Sequence, residues 1–227
     1  MMRLDGATIA FDLDGTLVDT APDLIGALNG VLGEQGLPAV PVEAARSLVG
    51  RGARALIEAG FATAGRPLDA DHAPALVARF IEIYRGRIAL ESRPFPGVEA
   101  ALDTLSEAGA ILCVCTNKPT ALSILLLDAL GLSSRFAAVV GADSAPKPKP
   151  DAAHLLFTIA EAGGDPSRAL MIGDSRTDAD AARAAGVPCI LVPFGYTDVL
   201  VESLEAAHVI QHFDALPAAA RLLLAPA

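Results

Sequence analysis

The chain of 227 residues is long enough for one substantial hydrophobic core, or for a core with a smaller inserted domain, but not for several independent enzymes. Its 17 Lys and Arg residues against 27 Asp and Glu residues give a net charge of -10, the wrong sign for a phosphate backbone, so no nucleic acid is expected as a partner. Charged residues, Gly or Pro interrupt every apolar stretch before the ~20 residues that a membrane-spanning helix needs. Because Asp5 stands where a signal peptide would begin its apolar region, we expect a cytoplasmic protein without a membrane contact.

Short apolar segments of strand length recur along the chain, and helix-like segments separate the later ones. The segments are Ala7–Phe11, Ala110–Cys115, Ala137–Val140, Ala169–Ile172 and Pro188–Val192. This alternation is typical of a parallel sheet with helices on both faces, so it predicts an α/β fold with a doubly wound parallel sheet. Ligands of such sheets bind beyond the carboxyl ends of the strands. We therefore expect the polar residues that follow the segments to meet at one edge.

The stretch from Thr20 to Arg93 interrupts the alternation, because it contains helical patterns and no convincing strand. Thr20 is followed three residues later by Asp23, a spacing typical of a capped helix start. Further helices are predicted at Val42–Val49, Ala53–Ala64 and Ala73–Ile88. The sequence therefore predicts a helical domain at residues 20–93, inserted into a core formed by residues 1–19 and 94–227.

The strongest chemical signal is a pair of carboxylates, Asp12 and Asp14, at the end of the first apolar segment. A strand that runs into a turn would explain one Asp and the following Gly15, but not two acids. Burying one unpaired charge costs several kcal/mol, so two buried together require a cation. Magnesium suits them, since it accepts one or two carboxylates together with water and substrate phosphate.

Polar residues of the expected kind also follow three later segments. Asp174 and Asp178 are four residues apart, so both side chains can face one site. An acidic residue at a helix N-terminus also stabilises the helix dipole, which alone would explain one of the two. The chain has only three lysines, all beside these loops: Lys118, Lys147 and Lys149. Residue types alone leave open whether Lys147 or Lys149 serves the site.

These segments, in this order, resemble the motifs of the haloacid dehalogenase superfamily, whose phosphatase members begin with Asp-x-Asp-Gly-Thr. The resemblance covers nearly the whole chain, and the helical insertion resembles the mobile cap of that family. It implies that Asp12 is the nucleophile and a magnesium ligand, which forms an aspartyl-phosphate during the reaction. It also implies that Asp14 is the general acid and base, and that its backbone carbonyl contacts the metal.

The resemblance implies roles for the later motifs as well. Asp174 is expected to bind magnesium, and Asp178 to orient the groups around the metal and the lysine. The family pattern Lys-Pro-x-Pro fits from Lys147, whereas reading from Lys149 loses the second proline, so Lys147 is predicted as the catalytic lysine. The residues expected to contact the substrate phosphate are Thr16, Thr116 and Asn117.

One residue of the insertion, Arg51, is a candidate for recognising the substrate. It lies between Gly50 and Gly52, and its planar guanidinium could bind a substrate carboxylate. A glycine at a helix end with an incidental surface Arg would explain the same pattern.

The opening motif, the Gly-Asp-Ser-Arg-x-Asp segment and the size of the insertion most resemble phosphatases of 2-phosphoglycolate. That small phosphate ester is therefore the expected substrate, Mg²⁺ the expected cofactor, and a monomer or homodimer the expected assembly. Alternatives are a phosphatase of sugar or amino-sugar phosphates, a phosphomutase, and a phosphate-sensing, receiver-like domain. A receiver needs neither the acid Asp14 nor a large insertion. Phosphonate-cleaving relatives use a cap lysine, which residues 20–93 lack.

Overall fold

The computed structural model describes residues 3–50, 52–197 and 199–225. Its strands are β1 (Thr8–Phe11), β2 (Val18–Asp19), β3 (Arg93–Pro94), β4 (Ile111–Thr116), β5 (Ala138–Gly141), β6 (Ala169–Gly173), β7 (Cys189–Leu191) and β8 (His208–Val209). Six of them form one parallel sheet in the order β5-β4-β1-β6-β7-β8. The predicted α/β fold is confirmed. Since β1 lies between β4 and β6, the residues after these three strands meet at one edge of the sheet.

Helices cover both faces of this sheet. The helices of the described residues are α1 (Ala21–Glu34), α2 (Val42–Ala45), α3 (Ala53–Thr63), α4 (Ala73–Gly86), α5 (Val98–Glu107), α6 (Thr120–Ala129), α7 (Ala152–Glu161), α8 (Arg176–Ala185) and α9 (Leu216–Leu223). Ile9 and Phe11 of β1 pack on one face in a cluster that includes side chains of α5, α6 and α9. Ala10 packs on the other face with side chains of α7 and α8. This alternation along β1 is that of a doubly wound sheet buried on both sides.

The helices α1 to α4 lie between β2 and β3 and share a second apolar cluster, which includes Leu28, Ile57 and Phe80 and also Leu122 and Tyr196 of the core. The second predicted helix is shorter than expected, because the α-helix ends at Ala45 and continues as a 3-10 turn over Arg46–Leu48. Among the described residues, no helix is long and apolar enough to cross a membrane.

The start of α1 differs from the predicted capped helix. Thr20 precedes the helix, but its side chain makes no capping hydrogen bond. Its hydroxyl donates instead to the carboxylate of Asp14, at 2.6 Å. A capping bond would require the hydroxyl oxygen to accept from a backbone N–H of the first turn, where Pro22 has none, whereas the carboxylate of Asp14 is a strong acceptor for the hydroxyl proton.

The two connections to the helical segment run side by side. β2 and β3 pair in antiparallel orientation, with Asp19 opposite Arg93. Asp23, fully buried in α1, accepts hydrogen bonds from the backbone of Glu91 at 2.9 Å and from the backbone and hydroxyl of Ser92 at 2.7 Å. Although burial favours the neutral carboxyl, these hydrogen bonds hold the pKa of Asp23 below its ordinary value. The hydrogen bonds of Asp23 therefore hold the start and the end of the helical segment together.

Candidate active site

Three carboxylates meet at the carboxyl edge of the sheet. Asp12 directly follows β1, Asp174 directly follows β6, and Asp178 lies in the first turn of α8. One carboxylate oxygen of each lies within 4.8 Å of the others. Because β1 and β6 are neighbouring strands, their ends bring Asp12 and Asp174 together without a long loop.

The electrostatics of this cluster favour a cation. Burial raises the pKa of Asp12 to about 6, and the charge of Asp178 adds to the effect while that of Lys149 opposes it. Burial, together with the charges of Asp178 and Asp12, also raises the pKa of Asp174 well above its ordinary value. The cluster thus holds more negative charge than its one lysine offsets. Oxygen ligands of this kind fit a hard divalent ion such as Mg²⁺.

Asp174 is held from several sides. The hydroxyl of Thr16 donates to its Oδ1 at 3.0 Å, and the backbone of Tyr196 donates to its Oδ2 at 2.6 Å. A Cβ at Gly15 would lie 2.6 Å from Oδ2, so this glycine leaves the space that the carboxylate occupies. The prediction that Thr16 binds the substrate is corrected by this geometry. Its side chain is fully buried behind Asp174 and orients that carboxylate instead.

The prediction of Lys147 as the catalytic lysine is also corrected. Lys149 Nζ lies 3.0 Å from Asp12 Oδ1 and 2.7 Å from Asp178 Oδ1, and its side chain is 1% exposed. Lys147 is 68% exposed and pairs with Asp151 on the surface. Although burial favours a neutral amine, the charges of Asp12 and Asp178 hold the pKa of Lys149 above its ordinary value. The lysine of the site is therefore Lys149, and it is charged.

Asp178 accepts hydrogen bonds besides that ion pair, from the backbone of Ser175 at 3.1 Å and its hydroxyl at 2.7 Å. It thus ties the loop that carries Asp174 to Lys149. The orienting role expected of Asp178 stays a prediction, which this placement supports.

Asn117 and His154 hold the backbone of Lys149. The Asn117 amide donates to the Lys149 carbonyl at 3.0 Å and accepts from its N–H at 2.9 Å. The same N–H donates to Nδ1 of His154 at 3.1 Å, so the proton of the imidazole is on Nε2, which donates to the Val140 carbonyl at 3.2 Å. His154 has no motif around it, and only its position on the buried face of α7 could have marked it.

Because the imidazole of His154 is buried, we expect the protein to lose stability in acid. Burial and the charge of Lys149 lower its pKa from 6.5 to about 4. Between pH 6.5 and pH 4 the unfolded chain takes up a proton that the folded chain does not. The free energy of unfolding should therefore decrease as the pH is lowered, by up to about 3 kcal/mol at pH 4. Urea unfolding measured between pH 7 and pH 4 checks this.

Two variants make the measurement specific to His154. The profile of His154→Asn should be flatter than that of the wild type, whereas His208→Asn, at an exposed position, should leave the slope unchanged. Parallel profiles for all three proteins would show that His154 titrates normally in the fold.

Asp14 lies outside the cluster of three carboxylates. Its carboxylate accepts hydrogen bonds from Lys118 Nζ at 2.9 and 3.2 Å and from the Thr20 hydroxyl. The ammonium of Lys118 also lies 4.5 Å from the centre of the Tyr84 ring, on α4. The metal contact predicted for the Asp14 carbonyl stays a prediction. The part played by Lys118 was missed, although its place beside the second motif could have marked it.

A cavity of about 630 Å³ lies between the sheet edge and the helical segment. Its polar side includes Asp12, Asp14, Thr116, Asn117 and Lys149, and its apolar side includes Leu56, Phe80 and Tyr84. Gly50 and Gly52 also line it. Arg51 lies outside the described residues, so its predicted contact with the substrate stays a prediction.

Comparison with known proteins gives consistent matches. The family model described as haloacid dehalogenase-like hydrolase matches residues 9–192. A protein of Caulobacter vibrioides named phosphoglycolate phosphatase is 61% identical over 221 residues, which cover 97% of this chain and 93% of that protein. One of Mesorhizobium japonicum with the same name is 49% identical over 208 residues, which cover 92% of each chain. The crystal structure of a predicted phosphoglycolate phosphatase from Haemophilus somnus has a TM-score of 0.88 at 29% identity, and the match covers 96% of this chain and 99% of that one.

Proposed function

The chain belongs to the haloacid dehalogenase-like hydrolase family, and we propose that it is a magnesium-dependent phosphatase that hydrolyses 2-phosphoglycolate to glycolate and phosphate. The observation that carries the proposal is the position of Asp12, whose carboxylate lines the cavity beside Lys149. The names of the relatives from Caulobacter vibrioides and Mesorhizobium japonicum support the choice of substrate.

In this proposal Asp12 is the nucleophile and Asp14 is the general acid and base. A carboxylate oxygen of Asp12 attacks phosphorus, the bond from phosphorus to the glycolate oxygen breaks, and Asp14 gives its proton to the departing oxygen. Asp14 then takes a proton from water as that water attacks the aspartyl-phosphate, which releases phosphate, restores the carboxylate of Asp12 and returns Asp14 to its protonated form. Asp14 suits both steps, because it lines the same cavity as Asp12 but lies outside the carboxylate cluster.

The remaining groups stabilise charge. The ammonium of Lys149 contacts Asp12 and is placed to offset the negative charge on the phosphoryl oxygens. Thr116 lines the cavity and can donate its hydroxyl to the same oxygens. Asp12 and Asp174, with the carbonyl of Asp14, would hold Mg²⁺, which supplies further positive charge there when bound.

The helical segment of residues 20–93 is proposed to act as a cap. It closes one side of the cavity, is connected to the core through β2 and β3, and contacts the core at Leu122, Tyr196 and Lys118. A cap that closes over bound substrate excludes water and completes the set of contacts. Arg51 remains a proposed contact to the substrate carboxylate from this side.

A panel of phosphate monoesters tests the proposal. We expect the highest kcat/KM for 2-phosphoglycolate, above those for sugar and amino-sugar phosphates. Excess chelator should abolish turnover, and added Mg²⁺ should restore it with an unchanged far-UV circular dichroism spectrum, because a catalytic metal is not needed for the fold. A higher kcat/KM for a sugar phosphate would reject the substrate, full activity in chelator would reject the metal, and no turnover of any ester would favour a receiver-like role.

A further inference from the structure

The hydroxyl of Tyr84, a residue that lines the cavity, is buried and makes no hydrogen bond of good distance and angle with a described residue, although the charge of Lys118 acts on it. Tyr84 is 1% exposed, on α4 of the helical segment. Nearly all buried polar groups in proteins have a partner, and an unpaired one costs stability. The other buried hydroxyl of the described residues without such a bond is that of Thr8, which does not line the cavity. Tyr84 is therefore the unpaired group whose missing partner a ligand of the cavity could supply.

A cation lies next to this hydroxyl-bearing ring. Lys118 Nζ is 4.5 Å from the ring centre of Tyr84, and its side chain is 5% exposed. The same ammonium contacts both carboxylate oxygens of Asp14. An ammonium and a phenol thus lie together beside the proposed general acid, whereas Lys149 lies beside the nucleophile Asp12.

We propose that Lys118 and Tyr84 bind the carboxylate of the leaving group and so make the site specific for phosphate esters of 2-hydroxy acids. The inference rests on the proposed function. Only one methylene group separates the ester oxygen of 2-phosphoglycolate from its carboxylate. Asp14 must contact that ester oxygen to protonate it, so the carboxylate lies close to Asp14, where Lys118 and Tyr84 are. An ammonium and a hydroxyl donor together suit a carboxylate.

The existing contact between Lys118 and Asp14 is compatible with this role. The ammonium of Lys118 has three N–H donors, and its hydrogen bonds to Asp14 use two of them, so a further acceptor can bind it. In the proposal this acceptor is the carboxylate of the substrate. Burial raises the pKa of Tyr84 to about 12, so its hydroxyl remains a donor at neutral pH.

Tyr84→Phe tests the proposal with little risk to the fold, because the lost hydroxyl makes no hydrogen bond of good distance and angle with a described residue. The two substrates are 2-phosphoglycolate and ethyl phosphate, in which a methyl group replaces the carboxylate. We expect kcat/KM for 2-phosphoglycolate to fall about ten- to a hundredfold, and that for ethyl phosphate to stay within about twofold. The melting temperature should be unchanged or higher, since an unpaired buried hydroxyl is removed.

Tyr196→Phe is a matched control, because the Tyr196 hydroxyl is also buried near the cavity but bonds to Asp19 and to the backbone of Thr20 and Ala21. Its loss should affect both substrates equally. Lys118→Met should lower kcat/KM for both, because Lys118 contacts Asp14, but more for 2-phosphoglycolate.

The outcomes separate this inference from the proposed function. If the wild-type enzyme prefers 2-phosphoglycolate while Tyr84→Phe and Lys118→Met leave the ratio of the two kcat/KM values unchanged, the inference is wrong and the proposed function stands. If the wild-type enzyme shows no preference for 2-phosphoglycolate over ethyl phosphate, both fail. A changed ratio in Tyr84→Phe and Lys118→Met, with an unchanged ratio in Tyr196→Phe, supports both.

Discussion

Asp12→Asn is expected to abolish turnover, with a loss of kcat on the order of 10⁴-fold or more, while the protein stays folded. An amide is a poor nucleophile, so no aspartyl-phosphate can form. The two side chains have nearly the same shape, and Lys149 keeps its ion pair with Asp178. Steady-state kinetics with 2-phosphoglycolate and the melting temperature, measured on the same preparation, check both parts.

A control for the substitution itself is Asp5→Asn, just before β1. Asp5 is exposed and forms a surface ion pair with Arg3, away from the cavity, so the variant should keep wild-type kinetics. Turnover by Asp12→Asn within about tenfold of the wild type would show that another group attacks phosphorus.

Lys149→Met is expected to lower kcat by about 10²- to 10³-fold, whereas Lys147→Met should leave it within about twofold. Removing one preorganised charge from the reacting centre typically costs this much. Lys149 contacts Asp12 directly, while Lys147 makes a surface ion pair with Asp151, of a kind that contributes little to stability. The two lysines are two residues apart in one loop. The same substitution at each therefore distinguishes the loss of the contact with Asp12 from a general effect on the loop.

The fold of Lys149→Met needs its own check. The variant leaves Asp178 buried without its cation, which can cost about 3–5 kcal/mol of stability. The double variant Lys149→Met with Asp178→Asn removes both charges and should regain stability without regaining activity. Recovered activity in the double variant, or equal losses in the two lysine variants, would contradict the role of Lys149.

The sequence was sufficient for the sheet and for the carboxylates that follow its strands. A buried strand needs a run of apolar residues, and a residue directly after a strand has little freedom to lie anywhere but at the sheet edge. The parallel sheet is confirmed, and the structure brings Asp12, Asp174 and Asp178 together. The roles predicted for these residues remain to be tested by the variants above.

Only the tertiary structure decided which side chains of the loops reach the site. Lys147 and Lys149 share one loop and similar flanking prolines, and Lys149 is the buried one because Asn117 and His154 bind its backbone. Thr16 faces Asp174 rather than the cavity. The contact between Lys118 and Tyr84 joins two elements that are distant in the chain. Strand-end positions follow from local pattern and the geometry of a parallel sheet, whereas side-chain directions in loops depend on contacts with residues far away in the sequence.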